Sequence, residues 1–198
     1  MSRARCAVRN IALCNQFQYF VTWTLDPNVV DRYDIEAVKK RVMKWLNNVS
    51  CRKGFQYVMV PERHKDGAIH FHGLCNLGDV KLDRAVNPHT GKAMSTEKGQ
   101  PIYNMADWSL GFSTCIPIDE HYERTCNYLV KYMEKDCEKV FGKWYFSSRN
   151  LRRRPDITLL QNVSYDEFIR DNASEPGLYD VPVYGDVRLA GIRLAEGY

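Results

Sequence analysis

Residues 55–75 read FQYVMVPERHKDGAIHFHGLC, two runs rich in β-branched and aromatic residues on either side of Lys65-Asp66-Gly67. That pattern is a hairpin signal, and it predicts neighbouring antiparallel strands over 55–62 and 68–75. The loop length sets the register. If Asp66-Gly67 is a two-residue loop, Glu62 faces Phe71 and points away from His70 and His72. If Lys65, Asp66 and Gly67 form a three-residue loop, Glu62 lies opposite His70 and Val60 opposite His72. Glycine in the third loop position, where a type I turn with a G1 bulge needs a left-handed residue, favours the second register.

Upstream, YFVTWTL at residues 19–25 ends in Asp26-Pro27 and reads as a strand leaving into a turn. Asp34 is a helix N-cap candidate. Ile35, Val38, Val42, Trp45, Leu46 and Val49 then recur at helical spacing before Gly54, so this helix should cover one face of a sheet. Residues 78–107 are polar and turn-rich and predict a long excursion holding at most a short helix or hairpin. Residues 110–118 predict another strand, 119–141 a second long helix capped by Asp119, and 144–147 a last short strand. The order implies an α+β domain with a largely antiparallel central sheet of about five strands flanked by helices.

With 198 residues, 44% hydrophobic and 26% charged, the chain has the make-up of a folded globular protein. It holds no apolar run long enough to span a bilayer, and Arg3, Arg5, Arg9 and Asn10 interrupt its start, which predicts an intracellular protein. Seven cysteines with no Cys-x-x-Cys spacing predict reduced thiols rather than disulfides or a zinc ribbon. The net charge of +4 is uneven. Residues 162–198 hold three Arg against seven Asp or Glu, and residues 1–161 hold 25 basic against 17 acidic side chains. The expected organisation is a basic domain over 1–161 and an acidic extension over 162–198, the latter extended and partly ordered, with Pro176-Gly177, Pro182 and Gly185. A basic surplus suits phosphate binding.

Four groups of residues carry chemistry. His70 and His72, at i and i+2 on a strand, share a face; in the three-residue register Glu62 joins them. A carboxylate and two imidazoles suit Mg²⁺ or Mn²⁺ acting on a phosphate oxygen, whereas two packed histidines with no ligand are the plain alternative. His64 flanks the turn, is expected to be exposed, and is left out of the site. Tyr128, Lys131, Tyr132 and Lys135 share an arc of one helix, opposite Cys126, Leu129, Val130, Met133, Cys137 and Val140, which should pack inward. Ammonium groups beside a phenol favour the phenolate, the nucleophilic form. Arg149, Arg152, Arg153 and Arg154 follow Trp144, Tyr145 and Phe146, a mixture that a single-strand DNA groove uses and that a solvated basic turn also shows.

Glu62, His70-Phe71-His72 and the doubled Tyr-x-x-Lys, in this order after YFVTWTL, resemble the motifs of the HUH endonucleases, the rolling-circle replication initiators. VPERHKDGAIHFHGL, LGFSTCIPI, YLVKYMEK and FSSRNLRRRP are most similar to phage and phage-derived initiators of bacteria, over about residues 10–156. The resemblance implies a ferredoxin- or RRM-like fold with the histidines on a central strand. It also implies a metal-dependent enzyme that nicks and joins single-stranded DNA at a replication origin through a 5′-phosphotyrosine and a free 3′-OH. Tyr128 ranks first as nucleophile, with Tyr132 available for a second cut, inside a bacterial host cytoplasm. No G-x-x-x-x-G-K-[ST] occurs, so helicase and polymerase are expected from the host. A relaxase or transposase of the same superfamily is the enzymatic alternative. A non-catalytic RRM-like nucleic-acid-binding domain is the other, although its aromatic motif is missing.

Overall fold

The computed structural model describes residues 2–135, 139–153, 163–174, 178–184 and 187–192. The chain divides into two compact units, Met1–Pro155 and Asp156–Tyr198. In the first, the elements are α1 (Ser2–Leu13), β1 (Tyr19–Leu25), α2 (Ile35–Lys53), β2 (Gln56–Arg63), β3 (Ile69–Asn76), β4 (Leu82–Arg84), β5 (Tyr103–Met105), β6 (Gly111–Pro117), α3 (Tyr122–Lys135) and β7 (Phe146–Ser147). The fold is α+β, as the element order implied. Its antiparallel sheet has strand order β4-β5-β6-β1-β3-β2-β7. Among the described residues seven strands replace the expected five, because the excursion contributes two three-residue strands, β4 and β5.

Local chemistry explains the central elements. Asp34 caps α2, its carboxylate accepting from the Glu36 and Ala37 amides, and Gly54 ends the helix at φ 66°. Between β2 and β3 the His64 amide donates to the Ala68 carbonyl, enclosing Lys65-Asp66-Gly67, with Gly67 at φ 86°. The three-residue loop therefore sets the register: Glu62 pairs with His70 and Val60 with His72.

Alternation along the strands separates two cores. Val21, Trp23, Leu25, Tyr57, Met59, Ile69 and Phe71 pack with Val38, Val42, Trp45, Leu46 and Val49 of α2. On the other face Val58, Val60 and Leu74 pack with Val8, Ile11 and Ala12 of α1 and with Cys126, Leu129, Val130 and Met133 of α3. The sheet is thus a middle layer, and the histidines lie on the α1–α3 side.

Several expectations are corrected. No capping signal marks α1 in the sequence; its buried Val8, Ile11 and Ala12 are matched instead by packing with α3. Asp119 does not cap α3: its carboxylate accepts from the His121 amide, and the helix starts at Tyr122. Val140 is buried in the α2-side core, beyond the end of α3, so it is not part of that helix's packing face. Cys137 lies outside the described residues. The last strand shortens to two residues.

In the second unit, α4 (Tyr165–Asp171) is capped by Ser164, and β8 (Leu178–Tyr184) pairs antiparallel with β9 (Val187–Ile192). A helix and a strand pair thus occupy a stretch where extended chain was expected. Pro176, Gly177 and Gly185 lie outside the described residues.

Candidate active site

Strand register brings the titratable residues to one face. Directly opposed residues on neighbouring strands share a face, so Glu62 (β2), His70 (β3) and Thr24 (β1) form one row, and Val60, His72 and Thr22 form the next. Thr22 Oγ1 lies 3.1 Å from His72 Nδ1, and Thr24 Oγ1 lies 3.4 Å from His70 Nδ1. His72 Nε2 meets Glu62 Oε2 at 2.7 Å, with both side chains buried. A carboxylate only accepts, so His72 Nε2–H donates to it and the Thr22 hydroxyl donates to Nδ1. His70 is half-buried, and burial holds its imidazole below the ordinary value, with the neighbouring His64 and Arg32 acting in the same direction.

Above this face stands α3. The Tyr132 ring stacks on His72 with centroids 3.6 Å apart and planes 15° from parallel. Its hydroxyl donates to Tyr128 Oη at 2.8 Å. Burial pushes the Tyr132 phenol above its usual range, reinforced by the Tyr128 hydrogen bond and by the Glu62 carboxylate, so it stays protonated and able to donate. Tyr128 is 48% exposed. Phe20 of β1 lies beside both tyrosines and His72, with ring centroids 5.6 to 6.3 Å away.

One carboxylate and two imidazoles, each ring with a threonine hydroxyl at Nδ1, are chemically suited to a divalent cation, since a partner at one ring nitrogen orients the other. The donor types therefore fit an ion. Among the described residues no three such side chains converge as a closed cage, because Glu62 is engaged by His72. Holding an ion requires that carboxylate to turn from the imidazole toward the metal.

Against known families, the model described as replication-associated protein ORF2/gene-2 protein matches residues 18–137, more than half of the chain. The chain belongs to this replication-associated protein family. The matched span runs from β1 to the end of α3 and so includes Glu62, His70, His72, Tyr128, Lys131, Tyr132 and Lys135. Membership supports a rolling-circle replication initiator-type protein with DNA at an origin as its partner. No curated protein and no solved structure gave a significant match. No helix among the described residues is long and apolar enough to cross a membrane.

For this replication-associated protein the other predicted residues stand as follows. Lys131 is exposed on α3 next to Tyr132; the side chain of Lys135 lies outside the described residues. Arg149, Arg152 and Arg153 are exposed after β7, the edge strand beyond β2, while Arg154 lies outside the described residues. This turn is anchored: the Arg152 amide donates to Asn15 Oδ1 and its carbonyl accepts from Asn15 Nδ2, while the Arg153 guanidinium donates to Ser147 Oγ.

Sequence reasoning missed Phe20, Thr22 and Thr24, although YFVTWTL alternates and the three therefore share a face. It placed His64 at the surface, where it is, but not against His70, on which its ring stacks at 4.0 Å.

Proposed function

We propose that this protein nicks and rejoins single-stranded DNA at a replication origin, with Tyr128 as the first nucleophile. The observation that carries the reading is the stacking of Tyr132 on His72 together with its hydrogen bond to Tyr128, which sets an exposed phenol beside the Glu62–His70–His72 face.

In this reading Tyr128 loses its proton and its oxygen attacks the scissile phosphorus. A phosphorus–oxygen bond to tyrosine forms, the bond to the 3′ oxygen breaks, and that oxygen takes a proton to become the free 3′-OH. The energy of the broken bond is kept in the phosphotyrosine, so attack by a 3′-OH reverses the step and rejoins the strand. Tyr132, held protonated, donates to the Tyr128 oxygen as it becomes anionic. The exposed Lys131 ammonium supplies a field of the sign that favours phenolate. Glu62, His70 and His72 would hold Mg²⁺ or Mn²⁺, which when bound polarises a non-bridging phosphate oxygen. Thr22 and Thr24 orient the two rings. Arg149, Arg152, Arg153 and Arg154 contribute phosphate contacts, and host helicase and polymerase extend from the 3′-OH.

The test is incubation with Mn²⁺ and a pool of single-stranded DNA of random sequence, followed by denaturing electrophoresis and mass spectrometry of the adduct. A nucleotide on Tyr128 is expected. No adduct, or one on a residue other than Tyr128 or Tyr132, overturns the reading.

A further inference from the structure

The catalytic-face row does not stop at Thr24. Across β1 that residue pairs with Phe112 of β6, so Phe112, Thr24, His70 and Glu62 lie in one line over four strands and face the same way. With strands about 4.8 Å apart, the Phe112 backbone stands about 10 Å from that of His70. Phe112 is 71% exposed, the most exposed large hydrophobic side chain among the described residues.

Its surroundings form a floor rather than an isolated bump. The α3 helix packs on β2 and β3, and α1 packs on α3 and β2. Over β1 and β6 the same face carries Phe20, Thr22, Thr24, Phe112, Thr114 and Ile116, none of them buried. These six side chains include two aromatic rings and three hydroxyls and no carboxylate, so nothing among them repels a phosphate chain. At the Ile116 end the floor meets a groove lined by Phe20, Ile116, Thr125 and Tyr128. It is therefore continuous with both His70 and Tyr128.

We propose that this uncovered strip is the track for unpaired DNA and that Phe112 is the platform on which one of its bases stacks. This rests on the reading of the protein as a single-strand nicking enzyme and adds the residue that seats the substrate. A base offers a π face whatever its identity, and a flat ring standing out of a rigid strand is pre-organised to meet it. The threonine hydroxyls beside it donate to or accept from base edges and backbone oxygens.

The experiment measures binding of a fluorescein-labelled oligothymidylate by anisotropy, in EDTA so that no cleavage intervenes, for the unaltered protein, Phe112→Ala and Phe112→Trp. Because Phe112 is exposed, both variants are expected to fold, which circular dichroism checks. Phe112→Ala should bind about tenfold more weakly, with an unchanged salt slope, because stacking releases no counterions. Phe112→Trp should restore binding. Equal affinity of Phe112→Ala and unaltered protein overturns the proposal. So does a dimer that Phe112→Ala dissociates without loss of DNA affinity, which would make a second copy the occupant. If binding depends on Phe112 but no covalent adduct ever forms with Mn²⁺, the nicking reading falls and the platform stands.

Discussion

Tyr132 Oη donates a 2.8 Å hydrogen bond to Tyr128 Oη, while the Tyr132 ring lies flat on His72. The two phenols are therefore not equivalent. One is half-buried, held above its usual pKa and engaged as a donor; the other is exposed and accepts.

This asymmetry predicts unequal phenotypes. Tyr128→Phe should abolish adduct formation in the first cleavage. Tyr132→Phe should retain it but slow it, since a hydrogen bond to a charged oxygen contributes about 1.5–3 kcal/mol, roughly a tenfold to hundredfold rate effect. Single-turnover cleavage of a labelled strand separates the two. Equal loss in both variants would remove the distinction.

The Glu62–His72 pair predicts a stability cost on top of a catalytic one. His72→Ala leaves a buried carboxylate without its 2.7 Å partner, and breaking such a pair costs about 3–5 kcal/mol. His70→Ala, at a half-buried site, should cost less. Urea denaturation should rank the two in that order. Mn²⁺ should raise the melting temperature of the unaltered protein and of neither variant, a readout independent of cleavage; an equal shift in all three would refute the ligand role.

Part of this site was legible before any coordinates. Gly67 in the third loop position marks a turn that only one register closes, and that register puts Glu62 across from His70. The spacing of Cys126, Leu129, Val130 and Met133 showed which side of α3 packs inward. It could not show that α3 lies over β2 and β3, because helix periodicity identifies a face but not its partner. The same holds for α1, whose Arg9 reaches Glu123 and Asn127 of α3 only after the chain has folded. The helix formed by 122–135 is shorter than its pattern suggested because Val140 and Phe141 are apolar for a different reason: they pack in the α2-side core.

Thiol chemistry should divide the cysteines by burial. Burial pushes Cys115 and Cys126 up to about 12 and Cys75 in the same direction, so at pH 8 their thiolate fraction is about one in ten thousand or less. Cys6 and Cys51 are exposed. Brief treatment with a thiol-specific alkylating reagent, followed by peptide mapping, should label Cys6 and Cys51 and leave Cys75, Cys115 and Cys126 until denaturant is added. Labelling of Cys115 in the folded protein would contradict the two-faced core.

The link between Lys53 and Asp107 should appear as a small acid-limb effect. The Lys53 ammonium, 2.6 Å away, holds the Asp107 carboxyl below its usual value. A carboxyl lowered on folding adds stability above the unfolded pKa of about 4, and that stability is lost as pH falls through the folded value. Both side chains are about a third exposed, so solvent screening limits the pair to less than about 1 kcal/mol. Asp107→Asn should lower stability at pH 7 by that amount and flatten its fall below pH 4, as measured by urea unfolding across pH.

Gly73 supplies the sharpest structural test, because it joins the site's histidines to the core beneath them. It follows His72 on β3 and points to the opposite face, where the Trp23 ring lies across it. A Cβ built there would come 2.5 Å from the Val58 carbonyl oxygen and 2.9 Å from the Trp23 ring. Neither neighbour yields cheaply: one is sheet backbone, and the other is a fully buried indole packed near Trp108. Overpacking of this kind costs about 1–3 kcal/mol. Gly73→Ala should lose that much in urea denaturation and, by moving β3, should also weaken cleavage without touching DNA. If the variant were as stable as the parent, Trp23 would not be seated on β3 as the packing requires, and the rigid support under His70 and His72 would have to come from elsewhere.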